Sequence, residues 1–250
     1  MESLHRISPN ATRNKRLPAE FTELYTELFQ LAKKLKGPVS YFTPFEGLWY
    51  RDSDIKLMLV GRCENGWTHF KENTLKSFLS NVNFINRNGM NWLDPLGVSR
   101  ETFICYKTGV DYRRDINNEL FWINGKLVFD SLLGGRAAWP PWFENVVWTN
   151  LFPLASCDKD TVTEFQKNFQ IETAKKLLLE QLDFFSPTHV VFLTGWDKWF
   201  EHFGDCFPNV LPLGNATNVL AIGRYKNSKI AVIEYEKSII EEKQLNKLFV

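Results

Sequence analysis

The sequence predicts an α/β protein with a three-layer α/β/α fold and a central parallel sheet of about four strands. Four short apolar runs, rich in Val, Ile, Leu and Phe, do not alternate cleanly with polar residues, which is typical of strands buried on both faces. Segments with a helical spacing of apolar residues separate these runs. Strands that alternate with helices favour parallel pairing, with the helices covering both faces of the sheet.

The four predicted strands are 55–60, 146–150, 189–194 and 229–235. A first helix is predicted from Phe21 to Leu35, where Gly37-Pro38 ends it. Further helices are predicted over 75–85, 116–132, 161–185, 196–203 and after Ser238. The third of these is expected to begin at a Thr161-x-x-Glu164 capping box.

The predicted domain organisation is a flexible basic arm over residues 1–18 followed by a single α/β domain over 19–250. The arm carries four cationic residues against Glu2: Arg6, Arg13, Lys15 and Arg16. Residues 84–145 are long for a connection between two strands and carry four Trp residues, so they are interpreted as an aromatic-rich insertion, with a mobile lid as the alternative. Aromatic residues make up 15% of the chain. A core rich in large rings is the favoured explanation, with surfaces for base stacking as the alternative.

Composition excludes several classes. The net charge of +1 argues against a protein that coats long stretches of nucleic acid, although a local basic groove is compatible with it. The four cysteines form no C-x-x-C pair, so we expect no metal and no cofactor. No run of about 20 apolar residues is present, so no membrane association is expected. The expected location is the cytoplasm, with reduced thiols.

Polar residues follow the predicted strands, where ligands bind in parallel sheets. The first strand runs into the sequence Gly-Arg-Cys-Glu-Asn-Gly-Trp over 61–67. This segment is neither a dinucleotide fingerprint nor a Walker loop, because the required glycine and lysine spacings are absent. Asn150 ends the second strand, and its amide offers both a donor and an acceptor to a base edge. Gly195 follows the third strand, and Tyr235-Glu236 lies at the end of the fourth.

In order and spacing, these segments resemble the uracil-DNA glycosylase superfamily. The matching segments are 61–65, Thr149-Asn150 and the helix-to-strand segment Gln181-Leu182…Pro187…Gly195. The resemblance covers about residues 55–80 and 145–240. It implies an α/β/α fold that binds a flipped base at the carboxyl edge of the sheet, with Asn150 recognising the base.

Two departures from the family bear on activity. The family carries Asp, Glu or Asn at the second or third place of its first motif, where this chain has Arg62 and Cys63. The nearest substitutes are Glu64 and Asn65. The histidine of the family's last motif is missing, because Tyr235-Glu236 stands in place of His-Pro. Loss of one preorganised donor of this kind typically costs about 10²–10³ in rate.

The first hypothesis is an enzyme that excises an altered base from DNA by hydrolysis of the N-glycosidic bond. Its predicted catalytic residues are Glu64, or less favourably Asn65, to position the water, and Tyr235 to stabilise the departing base, a role that Arg62 could share. The predicted substrate-binding residues are Gly61, Arg62, Trp67, Phe70, Asn150, Gly195 and Glu236. The partner is DNA or a small molecule that contains a nucleobase, and the sequence leaves the oligomeric state open.

The second hypothesis is a protein of the same fold that binds a nucleobase, nucleotide or nucleic-acid end without cleaving it, as the missing catalytic positions favour. A third class is a different hydrolase at the same edge. Ser156, Cys157 and Asp158 follow the second strand, and Cys63 ends the first. No G-x-S-x-G elbow is present, and a buried, inert Cys63 is the favoured interpretation of that thiol.

Overall fold

The computed structural model of the chain describes residues 18–35, 39–47, 49–63, 74–76, 79, 120–134, 142–156, 162–214, 218–234 and 239–245. The predicted basic arm and the predicted helix over 75–85 lie wholly or mostly outside these residues. Within them the fold is mixed α/β, with a mostly parallel central sheet. The predicted fold class is confirmed at this level.

The strands form one large sheet and one small one. In chain order the strands are β1 (Val39–Tyr41), β2 (Phe45–Glu46), β3 (Leu57–Cys63), β4 (Val146–Phe152), β5 (Leu154–Ser156), β6 (His189–Leu193), β7 (Leu211–Pro212), β8 (Val219–Tyr225) and β9 (Ser228–Ile233). The large sheet has the order β2-β4-β3-β6-β9-β8-β7, and β1 pairs with β5 in a separate two-stranded ladder.

The four predicted strands correspond to β3, β4, β6 and β9, which are the parallel centre of the large sheet. The antiparallel strands β2, β8 and β7 at its margins were not predicted. Two of them are only two residues long, and β8 is partly exposed along its length. Such strands lack the continuous apolar run that identifies a strand buried on both faces.

The helices are α1 (Ala19–Ala32), α2 (Leu120–Leu133), α3 (Glu164–Phe185) and α4 (Glu242–Leu245), with 3-10 turns at Tyr50–Asp52, Trp142–Asn145 and Phe200–Cys206. The predicted Thr161–Glu164 capping box is wrong. The Thr163 hydroxyl accepts from the Gln166 amide, and the Gln166 side chain accepts from the Thr163 amide. The T-x-x-Q pattern two residues later therefore caps α3.

Two hydrophobic clusters lie on opposite faces of the sheet. The first joins α1 and α3 to alternate strand residues such as Met58 and Val60. The second joins α2 and α4 to the intervening residues, such as Leu57 and Leu59. Successive strand residues point to opposite faces, so each parallel strand is buried on both sides.

The described end of the predicted aromatic insertion belongs to the core. Trp122 on α2 is 1% exposed and Trp142 is 5% exposed. The Trp122 and Trp148 ring centroids lie 4.8 Å apart, so α2 packs its rings directly on β4. Trp122 and Trp142 therefore belong to the core, which agrees with the expectation of a core rich in large rings.

No helix among the described residues combines the length and the apolar character needed to span a bilayer.

Candidate functional site

The carboxyl ends of the four parallel strands meet at one edge of the sheet. β3 precedes both of its neighbours in the chain: β4 lies on one side of it and β6 on the other. The direction of winding therefore reverses between β3 and β6, and such a switch point opens a crevice where ligands bind. Four predicted site residues lie at this edge: Gly61, Arg62, Asn150 and Gly195.

The other predicted site residues lie outside the described part of the chain: Glu64, Asn65, Trp67, Phe70, Tyr235 and Glu236. β3 ends at Cys63, directly before Glu64. β9 ends at Ile233, two residues before Tyr235. Both of these strand ends lie at the carboxyl edge.

Gly61 and Asn150 are register partners on β3 and β4. A Cβ atom at Gly61 would lie 2.3 Å from Asn150 Oδ1, which is closer than real Cβ atoms approach an oxygen. Glycine is therefore required here because the Asn150 side chain lies across β3. This is a close approach to a backbone, one of the uses of glycine in a strand.

The Asn150 side chain is buried at 6% exposure. Its amide nitrogen, Nδ2, has no hydrogen-bond acceptor in the described part of the chain. A buried donor without an acceptor typically costs about 1–3 kcal/mol. The most direct use of such a group at the carboxyl edge is to donate to a ligand.

An aromatic ring borders the Asn150 amide. Phe121 lies in the first turn of α2. Its Cε2 atom would be 3.3 Å from a Cβ atom on Gly61, the same point that Asn150 Oδ1 approaches. Sequence reasoning missed this residue. The available signal was that a helix following a strand runs back from the carboxyl edge, so its first turn lies near that edge.

The opposite face of the sheet carries Arg62. Its Nε donates to the Thr194 carbonyl oxygen at 2.7 Å, and its Nη2 lies 3.5 Å from Glu234 Oε1. Thr194 follows β6 and Glu234 follows β9, so these contacts connect the ends of three strands across the switch point. Arg62 also lies 5.3 Å from the centroid of the Trp199 ring.

Gly195 lies beside this ion pair with a positive φ of 77°. A Cβ atom there would lie 3.0 Å from Glu234 Oε2 and 3.5 Å from Arg62 Nη2. The backbone conformation and the crowding both favour glycine. In this structure Gly195 makes room for the ion pair of Arg62 and Glu234.

A buried lysine extends the network on the Arg62 face. Lys167 on α3 is 2% exposed, and its Nζ donates at 2.7 Å to both Glu164 Oε1 and the Lys198 carbonyl oxygen. Its Nζ also lies 4.1 Å from the Trp199 ring centroid. The hydrogen bond from Lys167 holds the pKa of the Glu164 carboxyl below its usual value. A helical lysine is usually exposed, so no sequence pattern predicts this contact.

Thr149, the neighbour of Asn150, points to the α3 face. Its hydroxyl donates to Gln181 Oε1 at 2.7 Å, and both side chains are buried. Gln181 lies in the helix-to-strand segment of the resemblance. In this structure Gln181 links α3 to β4.

The described residues do not form a catalytic arrangement for the third hypothesis, a different hydrolase at the same edge. Cys157 and Asp158 lie outside them, and Cys63 is partly buried at the end of β3. Burial, followed by the negative charge of Asp205, raises the pKa of the Cys206 thiol to about 11, so this cysteine is a poor nucleophile at neutral pH. Within the described ranges, His, Cys, Asp and Glu side chains form no group of three or more that could hold a metal ion.

Fold and site together define an α/β protein with a mostly parallel sheet and a candidate ligand site at its carboxyl edge. The sequence matches no protein-family model, and a search of curated proteins finds no match. The function is therefore inferred from the site itself.

Proposed function

We propose that this chain is a nucleobase-binding protein with a uracil-DNA glycosylase-like fold, in which Asn150 recognises the edge of the base. The observation that carries the proposal is the buried Asn150 amide nitrogen, which has no acceptor among the described residues. It lies at the edge where α/β sheets bind their ligands.

The chemistry of the site suits a base. A carboxamide offers a donor and an acceptor side by side, which complements the alternating groups on a base edge. Glu234 offsets the charge of Arg62, so the described part of the edge favours a neutral polar ring over a strongly anionic group. The ring of Phe121 beside Asn150 adds an apolar surface of the kind on which bases pack.

Base excision is the second candidate, because β3 ends with Cys63 at the carboxyl edge and Glu64 is the next residue in the sequence. In this mechanism Glu64, or Asn65, positions a water against the sugar carbon. Tyr235, next to Glu236, donates to the departing base, while Trp67 or Phe70 stacks on it.

Binding and excision can be tested on the same oligonucleotides. Fluorescence anisotropy would compare single-stranded and duplex oligonucleotides that carry one uracil or hypoxanthine with thymine-only controls. We expect tighter binding to a modified base, and loss of that preference in Asn150→Leu but not in Thr149→Val, its neighbour on the opposite face. A folded parent protein that binds every oligonucleotide equally, or none, would contradict base recognition.

The same samples treated with alkali report excision. Strand breaks at the modified base that disappear in Glu64→Gln would establish hydrolysis. Base-selective binding without strand breaks would leave the binding function in place and reject the second candidate for these bases.

A further inference from the structure

The surroundings of Phe121 assign it a place in the candidate site. The point where a Cβ atom would lie on Gly61 is 2.3 Å from Asn150 Oδ1 and 3.3 Å from Phe121 Cε2. The amide and the ring edge are therefore side by side above the β3 backbone. The two side chains come from different elements, β4 and α2, which the fold brings together at the carboxyl edge.

Phe121 is held in a defined position by buried rings. Its centroid lies 4.8 Å from that of Trp122, at an interplanar angle of 86°, and 5.9 Å from that of Trp148. Trp122 and Trp148 are 1% and 5% exposed. Phe121 itself is only partly buried. A partly exposed ring with a rigid backing loses little conformational entropy when a ligand packs on it.

A hydrogen-bond donor beside an aromatic ring matches one ligand chemistry. A planar heterocycle with a ring carbonyl can accept from the Asn150 amide while its ring packs on Phe121. An aliphatic ligand or a bare phosphate would use only one of the two groups.

We propose that Phe121 is a specificity-determining residue that packs against the planar ring of the ligand bound by Asn150. This inference rests on the proposed function, because it assumes that Asn150 binds a base. It adds an aromatic contact from α2 that is independent of Trp67 and Phe70. The selectivity for planar rings then depends on Phe121, and the selectivity for the carbonyl depends on Asn150.

The test uses the full chain with Phe121→Leu, which removes the ring but keeps an apolar side chain. The probes are free uracil and a single-stranded oligonucleotide with one uracil. We expect the dissociation constant to rise about 5- to 150-fold, the usual range for loss of a base-stacking contact. Phe121→Tyr restores the ring and should stay within about threefold of the parent. Phe165→Leu removes a 68% exposed ring on α3 and should change nothing.

A spectroscopic readout separates contact from a structural role. Packing on the Phe121 ring should shift the H5 and H6 proton resonances of bound uracil upfield in the parent and in Phe121→Tyr, but not in Phe121→Leu. Phe121→Met serves as a second variant without a ring if the leucine variant does not fold. Parent-like affinity and shifts in Phe121→Leu or Phe121→Met, together with loss of binding in Asn150→Leu, would overturn this inference alone. Absence of uracil binding to the folded parent would overturn the proposed function.

Discussion

At the carboxyl edge, the two faces of the sheet differ in whether their polar side chains have partners. One face carries Arg62 and the other carries Asn150. Arg62 is bonded to the Thr194 carbonyl and paired with Glu234, so its contacts link three strand ends. The Asn150 amide nitrogen is buried too, yet the described residues offer it no acceptor. Buried polar groups in native proteins are usually satisfied. On this difference rests the proposal that one face stabilises the sheet and the other binds a ligand.

The same contrast occurs between two consecutive residues of β4. Thr149 donates to Gln181 and joins the sheet to α3. Asn150 points to the other face and lies across Gly61. Substitutions on the two faces should therefore separate stability from binding.

The largest effect is expected from Asn150→Leu, measured as binding of a uracil-containing oligonucleotide by anisotropy. Loss of the amide should weaken binding about 100-fold, near the upper end of about 1–3 kcal/mol for a two-point contact to a base. The free energy of unfolding in urea should stay the same or rise, because the variant removes a buried donor that lacks an acceptor in the described part of the chain. A variant that is clearly destabilised would contradict the assignment of Asn150 to ligand binding.

Arg62→Met should have the opposite profile. The variant removes the Nε donor to the buried Thr194 carbonyl and the guanidinium that pairs with Glu234. We expect a loss of about 2 kcal/mol in the free energy of unfolding, as for hydrogen bonds to charged groups. The control is Lys126→Met, which breaks an exposed ion pair with Asp130 on α2 and should cost at most about 0.5 kcal/mol. Equal stability of the two variants would show that Arg62 does not join the strand ends.

Thr149→Val sharpens the comparison within β4. The change keeps the shape of the side chain but removes the hydroxyl that donates to buried Gln181. A loss of about 1 kcal/mol in the free energy of unfolding is expected, with base binding unchanged. If this variant loses base selectivity while it remains folded, the division between the two faces of β4 is wrong.

The smallest effect concerns pH and the opposite edge of the sheet. His189 begins β6, and burial, followed by the charge of Lys229, lowers its pKa. In the unfolded chain the pKa of His189 is about 6.5, so the unfolded chain takes up this proton at a higher pH than the folded chain does. The stability associated with neutral His189 is therefore present above about pH 6.5 and is lost as the pH falls through the folded-state pKa.

Urea titrations at several pH values between 7 and 5 would measure this effect. The stability of the parent should decline more steeply than that of His189→Gln. Base binding should not follow the same dependence, because His189 lies at the amino edge. Identical pH profiles of parent and variant would exclude a role for His189.

Much of the sheet could be predicted from the sequence, because strands buried on both faces leave continuous apolar runs such as 146–150 and 189–194. The sequence contains two overlapping patterns that could cap α3, Thr161-x-x-Glu164 and Thr163-x-x-Gln166. The structure uses the second. A local pattern alone does not distinguish them. The short margin strands carry too few residues for a periodic signal.

The site could be predicted only where it follows from chain order. Gly61 and Asn150 end predicted strands, so the rule for carboxyl edges located both. Lys167 was missed because its burial depends on how α3 docks on the sheet, which no local pattern encodes. Phe121 joins Asn150 only because α2 begins at the edge where β3 ends.

The proposed function requires that the Asn150 amide donate to a bound base. The most direct measurement is nuclear magnetic resonance of the ¹⁵N-labelled chain during a titration with uracil, with the Asn150 side-chain amide assigned from the spectrum of Asn150→Asp. A saturable downfield shift of one Asn150 amide proton, with the same midpoint as the binding curve, is the predicted result. An unchanged Asn150 amide while uracil demonstrably binds would contradict the account.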